Sequence, residues 1–366
     1  MNICYLQYSN PWNPFSPGGV GRVNHEVFKR LSRSHTVEVL TGCMKGMPSE
    51  SKIDGVKYRQ VGGYRSRIAN RLYFSWMASN VDISSFDIVV IAWERYAPVR
   101  IKLCDKPVVL ELHANFFDIP AKIGVLEPLA RFLLVRALQK VKYITAVSRN
   151  VMGSVSNKSI HFRKAKVIYN GIGDDCFSKI NAKANADYFL FLGRIDIKAK
   201  GIDTLLNAYL MAEMDVPLLI GGDGEDMGKL NEMIKNIGLE HRVNLLGWVD
   251  GKRKRELIEG CIAMCVPSRS EGFGLVAVEA MAMGKPVLAS SIGGLSEIVE
   301  NEISGLLFDA ESEEQCAKAI TRMAADSHLY ASLKEGAYAR ARDFTLAASS
   351  ASREDFFYGV LEDSQK

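Results

Sequence analysis

The chain has 366 residues, 48% hydrophobic and 24% charged, with no apolar run near the ~18 residues of a spanning helix. That composition excludes disordered, collagenous, coiled-coil and membrane-spanning classes and fits about two globular domains. The net charge of +4 hides a split: residues 1–172 hold 25 Lys/Arg against 11 Asp/Glu, and residues 173–366 hold 21 against 31.

A basic half and an acidic half speak of partners rather than of fold. Met1 to Leu6 lacks a basic leader and moves straight into a strand pattern, so no signal peptide is expected. Seven cysteines without framework spacing predict reduced thiols and a cytoplasmic setting.

Short apolar runs alternate with helical stretches along the chain. The strands expected in the first half cover residues 2–8, 36–41, 87–93, 107–113, 143–147 and 166–169. Those in the second half cover 188–192, 217–221, 242–246, 262–266, 286–289 and 305–308. They are rich in Val, Ile and Leu, as strands covered on both faces must be. Between them, 201–214 carries Ile202, Leu205, Leu206, Tyr209 and Leu210 on one helical stripe, and 228–238 and 313–323 read the same way. Asn170-Gly171 and the polar stretch 174–187 mark a boundary. The expectation is α/β: two tandem Rossmann-like doubly wound domains, 1–172 and 173–345. Residues 346–366 form a closing helix that returns to the first domain through Phe356, Phe357, Tyr358 and Val360. Ligands in such sheets lie at the carboxyl ends of the strands, so the cleft between the domains is the expected site.

Three stretches carry chemistry. Ser16-Pro17-Gly18-Gly19-Val20-Gly21 joins a strand to a helix, and its glycines let backbone amides approach an anion. An ordinary turn explains it equally well. Gly193-Arg194 and Lys200-Gly201 place one cation where a strand ends and another where a helix begins, which suits a diphosphate. Solvated loop charges are the plainer account. The most informative run is Val266 to Ala280. A strand ends, a glycine-bracketed turn follows, and a helix opens near Gly274, so amides at Phe273, Gly274, Leu275 and Val276 face an anion. Glu271 and Glu279 bracket that helix start. Carboxylates beside an anion site make sense as hydrogen-bond acceptors for hydroxyls, a sugar at one end and a ribose at the other. An acidic pair serving the helix dipole is the lesser alternative.

The Glu-x7-Glu pattern with Gly-Phe-Gly inside it resembles the signature of retaining glycosyltransferase family 4, which has the GT-B fold. The resemblance runs along nearly the whole chain. Gly18-Gly19-Val20, His113, Tyr169-Asn170-Gly171-Ile172, Gly193-Arg194 with Lys200-Gly201, Gly221-Gly222-Asp223-Gly224, Leu246-Gly247-Trp248-Val249 and Gly293-Gly294-Leu295-Ser296-Glu297 look like the family's landmarks in order. It implies that Glu271 binds donor sugar hydroxyls and Glu279 the ribose, and that Arg194 and Lys200 hold the diphosphate. Backbone amides at Gly19 and at 273–276 would add donors. Trp248 and Val249 would receive the base through main-chain atoms. His113 would lend its carbonyl or ring to the sugar.

The implied enzyme moves a hexosyl unit, glucose from UDP-glucose by preference and with GDP-sugars close behind. The acceptor would be a hydroxyl of a glycan or lipid-linked glycan, in cell-surface polysaccharide or glycolipid synthesis. The alternatives are a GT-B-fold nucleotide-sugar epimerase and a non-catalytic sugar-nucleotide-binding protein. No Asp-x-Asp, P-loop or His-Glu-x-x-His motif occurs, so no metal or other cofactor is expected.

The basic half has features of its own. Arg59, Arg65, Arg67 and Arg71 crowd beside Tyr58, Tyr64 and Tyr73, and 125–141 mixes apolar residues with Arg131, Arg136 and Lys140. A basic amphipathic helix can lie on anionic membrane, although an ordinary half-buried helix reads the same way. The expected partners are a nucleotide sugar, an acceptor that is anionic or membrane-anchored, and the inner face of a membrane, with no nucleic acid. Acceptor choice is expected in the loops 9–17, 43–54 and 115–124.

Overall fold

The computed structural model describes residues 1–8, 19–44, 46–62, 73, 74, 76–93, 106–115, 135, 136, 138–156, 160–177 and 187–366. It divides into two compact units, Met1–Gly171 with Leu346–Lys366, and Ile172–Thr345. Among the sequence expectations, Gly18, Arg65, Arg67, Arg71, the loop 9–17, and most of 115–124 and of the basic stretch 125–141 lie outside the described residues.

The first unit is an eight-stranded sheet: β1 (Asn2–Leu6), β2 (Thr36–Gly42), β3 (Glu50–Ile53), β4 (Val56–Val61), β5 (Ile88–Trp93), β6 (Val108–Leu112), β7 (Tyr143–Ala146) and β8 (Lys164–Val167). Their order is β3-β4-β2-β1-β5-β6-β7-β8. Every pairing is parallel except β3 with β4. The central strands β1, β5, β6 and β7 are buried almost throughout, which is why they read as continuous apolar runs. The β3–β4 hairpin was not expected. Residues 50–53, read from the sequence as part of an acceptor loop, are an edge strand with alternating exposure, so no apolar run announces them.

Helix α1 (Gly19–Leu31) buries Val27, Phe28 and Leu31 in a core shared with Tyr5, Phe356, Phe357 and Val360. The ring of Tyr5 lies 4.2 Å from Phe28 and 6.4 Å from Phe357. The C-terminal helix, Leu346–Ser364, is therefore part of the first unit's core. Tyr358, expected among its docking residues, is instead half exposed, because it points away from the Phe356–Phe357–Val360 stripe. The segment 346–366 carries two basic and four acidic residues, so it trims the first unit's excess charge to +12.

The second unit has six parallel strands: β9 (Tyr188–Leu192), β10 (Leu218–Gly221), β11 (Val243–Gly247), β12 (Cys261–Val266), β13 (Val287–Ser290) and β14 (Gly305–Phe308). Their order is β11-β10-β9-β12-β13-β14. The chain winds outward from β9 on one side and from β12 on the other, so the reversal falls between those two strands. After helix α2 (Arg149–Ser156) in the first unit, the helices of the second are α3 (Ile197–Lys200), α4 (Ile202–Met211), α5 (Met227–Asn236), α6 (Gly251–Gly260), α7 (Leu275–Ala282), α8 (Leu295–Ile298), α9 (Glu313–Ala325) and α10 (Ser327–Ala341). The helix expected over 201–214 is observed as Ile202–Met211, and the short helix α3 precedes it. Gly201, at φ +60°, ends α3 and opens α4. Cys261 and Cys265 are buried in β12, and burial pushes the Cys261 thiol up to about 12.

Candidate functional site

In an open parallel sheet, two neighbouring strands whose connections leave in opposite directions open a crevice at their carboxyl ends. Here those strands are β9 and β12, and each is followed by a stretch singled out from the sequence. After β9, the Gly193 N–H donates to Gly221 O at 3.0 Å and the Ile195 N–H to Asp223 O at 2.9 Å, which ties the ends of β9 and β10 together. Arg194 projects from this join into solvent, its Nη2 3.4 Å from Asp196 Oδ2. Asp196 also accepts from the Ala199 N–H at 3.0 Å and so starts α3.

Helix α3 delivers Lys200. The N–H groups of Arg269 and Ser270 donate to Ala199 O at 3.0 and 3.4 Å, which fastens the turn after β12 to the end of α3. Arg269 reinforces the join with a forked pair to Asp203 at 2.6 and 3.0 Å. At Gly201 any side chain is excluded, because a Cβ there would sit 2.0 Å from Pro267 O. The outcome is a close ion pair, Lys200 Nζ to Glu271 Oε2 at 2.7 Å, with both side chains about four-fifths buried.

The Glu271 carbonyl accepts from the Gly294 N–H at 3.2 Å, so the later glycine turn braces the same residue. Helix α7 then opens at Gly274, φ +105°, with no side chain capping it. The first-turn amides at Leu275 and Val276 precede any carbonyl four residues back and point out of the helix start. Phe273 is buried, its ring edge-on to Phe344 at 5.8 Å, so its side chain packs and only its backbone faces the turn.

Glu279, one turn further along α7, has its own lysine. Its Oε2 is 2.5 Å from Lys254 Nζ on α6, a contact that lacks hydrogen-bond alignment. The segment Asp174–Cys176 lies alongside: Asp175 O accepts from Arg255, and the Cys176 thiol is pushed up to about 11 by burial and then by Asp175 and Glu279. Asp223 Oδ1 accepts from the Gly224 N–H at 2.7 Å. The Gly222 N–H donates to Gly247 O at 2.7 Å, setting Trp248 and Val249 at the next strand end. The Trp248 indole N–H reaches Asp250 Oδ2 at 3.1 Å, and the ring is half exposed.

Sequence reasoning grouped Arg194 with Lys200 as a cationic pair. In the structure each faces a carboxylate, Asp196 and Glu271 respectively. It also missed Lys254, because Lys252-Arg253-Lys254-Arg255 reads as a solvated charge run and nothing in it marks the inward-facing member.

In the first unit, Gly19 opens α1 and is exposed. His113 follows β6 and is buried. Burial lowers its pKa, Glu111 pulls the other way, and Arg353 lowers it further. Its Nε2 lies 3.4 Å from Asn24 Nδ2 and 3.7 Å from Glu111 Oε1, while its buried Nδ1 has no hydrogen-bond partner among the described residues. Glu111 Oε1 is taken by Arg353 of the C-terminal helix, from Nη2 at 2.7 Å and Nε at 3.0 Å.

Two family models tile the chain. The model for glycosyltransferase family 4 matches residues 17–175, and that for glycosyl transferases group 1 matches residues 174–340. The chain belongs to glycosyltransferase family 4. Among the relatives of this family 4 glycosyltransferase is the N-acetyl-alpha-D-glucosaminyl L-malate synthase of Bacillus anthracis, 24% identical, with 96% of each chain aligned. Its fold matches that of sucrose-phosphate synthase from Thermosynechococcus elongatus, with a TM-score of 0.83 over 99% of this chain and 100% of that one at 19% identity. Anabaena HepE in complex with UDP-glucose matches with a TM-score of 0.77 over 98% and 100% at 20% identity. The architecture is therefore GT-B, two Rossmann-like domains on parallel sheets. Among the described residues no helix is long and apolar enough to cross a membrane.

Proposed function

We propose that this glycosyltransferase is a retaining hexosyltransferase that uses a nucleotide sugar, UDP-glucose by preference, and forms an α-glycosidic bond to a hydroxyl of a glycan or lipid-linked glycan. The observation that carries the reading is the Lys200–Glu271 pair, held at the reversal of the second unit's sheet beside an uncapped helix start.

Each part has a task. Glu271 accepts hydrogen bonds from sugar hydroxyls. Lys200 and the amides of Gly274, Leu275 and Val276 stabilise the charge that develops on the departing phosphate, and Arg194 folds onto the diphosphate from the strand end. Glu279 accepts from the ribose hydroxyls, and Trp248 and Val249 offer main-chain atoms to the base. In the transfer step the bond from C1 to the phosphate oxygen breaks and a bond from C1 to the acceptor oxygen forms on the same face. The acceptor's proton passes to the leaving phosphate. The ammonium and helix start supply the positive charge, so no metal or cofactor is proposed.

UDP-glucose as donor is favoured by the Anabaena protein of the same fold, whose complex contains it. An anionic acceptor is favoured by the first unit's +12 and by the Bacillus relative, whose name pairs its sugar with malate. A lipid-linked pyrophosphoryl sugar at a cytoplasmic membrane face meets both conditions.

Thermal-shift measurements over UDP, GDP and their sugar conjugates fix the donor, and Glu271→Ala tests the site. That variant keeps nucleotide binding and loses transfer. Unchanged turnover in the variant sinks the assignment of Glu271 to the sugar.

A further inference from the structure

Glu279 on α7 and Lys254 on α6 both belong to the second unit. The two oxygens of the Glu279 carboxylate stand in different surroundings. Oε2 is buried and faces Lys254 Nζ at 2.5 Å. The segment 174–176 is close by: burial, then Asp175 and then Glu279, push the Cys176 thiol up. The Glu279 side chain as a whole keeps 23% of its surface exposed, and with Oε2 buried, Oε1 is the oxygen left open to a ligand. In the basic run of α6, Lys252 pairs with Glu256 at 3.4 Å and Arg255 with Glu259 at 3.1 Å, both on their own helix. Lys254 crosses to α7 instead.

A carboxylate that receives the two neighbouring hydroxyls of a ribose side by side gives one oxygen to each. Here an ammonium already stands on one of the two. We propose that Lys254 is a positioning residue that holds Oε2 out of reach, so that Glu279 receives a single ribose hydroxyl, through Oε1, and the enzyme tolerates a nucleotide lacking the other. The inference rests on the reading of Glu279 as the ribose acceptor and adds how many hydroxyls it reads. Turning Oε2 toward the ligand would strip the ammonium, itself only 30% exposed, of its carboxylate, and a partly buried charge resists that loss.

Titration calorimetry on the full chain tests the proposal. The probes are the diphosphate that thermal shift selects, UDP or GDP, and its 2′-deoxy and 3′-deoxy forms. One deoxynucleotide is expected to bind within about two-fold of the parent and the other about ten-fold or more weaker, the worth of one hydrogen bond to a charged group. Lys254→Ala releases Oε2, so the tolerated deoxynucleotide then falls about ten-fold behind the parent nucleotide. Lys254→Arg keeps the ion pair and the tolerance. A lysine that merely steadied the fold would move all the affinities together and leave their ratios alone.

If both deoxynucleotides bind more weakly than the parent to the unaltered chain, the diol is held by both oxygens. The proposal is then overturned, and the transferase reading stands. If both match the parent, the proposal is overturned and Glu279 is withdrawn from the ribose. Unchanged ratios in a folded Lys254→Ala variant overturn the positioning role. A chain that binds no nucleotide or nucleotide sugar at all sinks the transferase reading and this proposal with it.

Discussion

Replacing Arg353 with Met tests whether the C-terminal helix is pinned to the first unit by charge as well as by its aromatic stripe. The change preserves most of the side-chain length and removes the cation. Glu111, 3% exposed, then keeps its carboxylate without the two bonds at 2.7 and 3.0 Å. Breaking a buried pair from one side costs about 3–5 kcal/mol, because the remaining charge is left without compensation. At roughly 2–4 °C per kcal/mol for a unit of this size, that lowers Tm by about 10 °C.

The pH response reverses as well. In the native protein burial would raise the Glu111 carboxyl, but Arg353 and then His113 outweigh it and hold it below its ordinary value. Its contribution to stability is therefore present above the carboxylate range and is lost as pH falls through the depressed pKa. In Arg353→Met burial is largely unopposed and the carboxyl rises, so the variant is most stable when acidic and loses stability toward neutrality. Urea unfolding at about pH 5 and about pH 8, followed by tryptophan fluorescence, reads both effects. Three of the four tryptophans, Trp12, Trp76 and Trp93, belong to the first unit. Arg353→Met combined with Glu111→Gln recovers most of the loss. A single variant within about 1 kcal/mol of the parent, or a double variant no better than the single, refutes the reasoning.

Gly201→Ala is expected to destabilise the second unit by more than about 2 kcal/mol and to cut transfer, since it combines a left-handed backbone with a clash against Pro267 O and displaces Lys200; an unaltered melting temperature argues against that packing. Glu279→Ala is expected to weaken UDP binding about ten-fold or more, each hydrogen bond to a charged group being worth about 1.5–3 kcal/mol, with titration calorimetry as the readout. Vesicles with anionic lipid should retain the protein in a salt-sensitive way and neutral vesicles should not; equal, salt-insensitive retention removes the membrane-anchored acceptor.

Much of the fold was legible because strands covered on both faces must be apolar along their whole length. The runs at 188–192 and 262–266 could be read at sight, and so could the Glu271–Glu279 spacing, which depends only on a glycine turn and one helix. The β3–β4 hairpin escaped because edge strands need no such pattern.

What local sequence determined was each residue's place along the chain: Glu271 in a turn, Lys200 at a helix end, Arg353 within the closing helix. Which charges meet was decided only in three dimensions. Lys200 finds Glu271 across 71 positions and Arg353 finds Glu111 across 242. Ion pairs between elements depend on how the layers stack, and a lysine that turns inward, such as Lys254, has the same immediate neighbours in sequence as one that faces water.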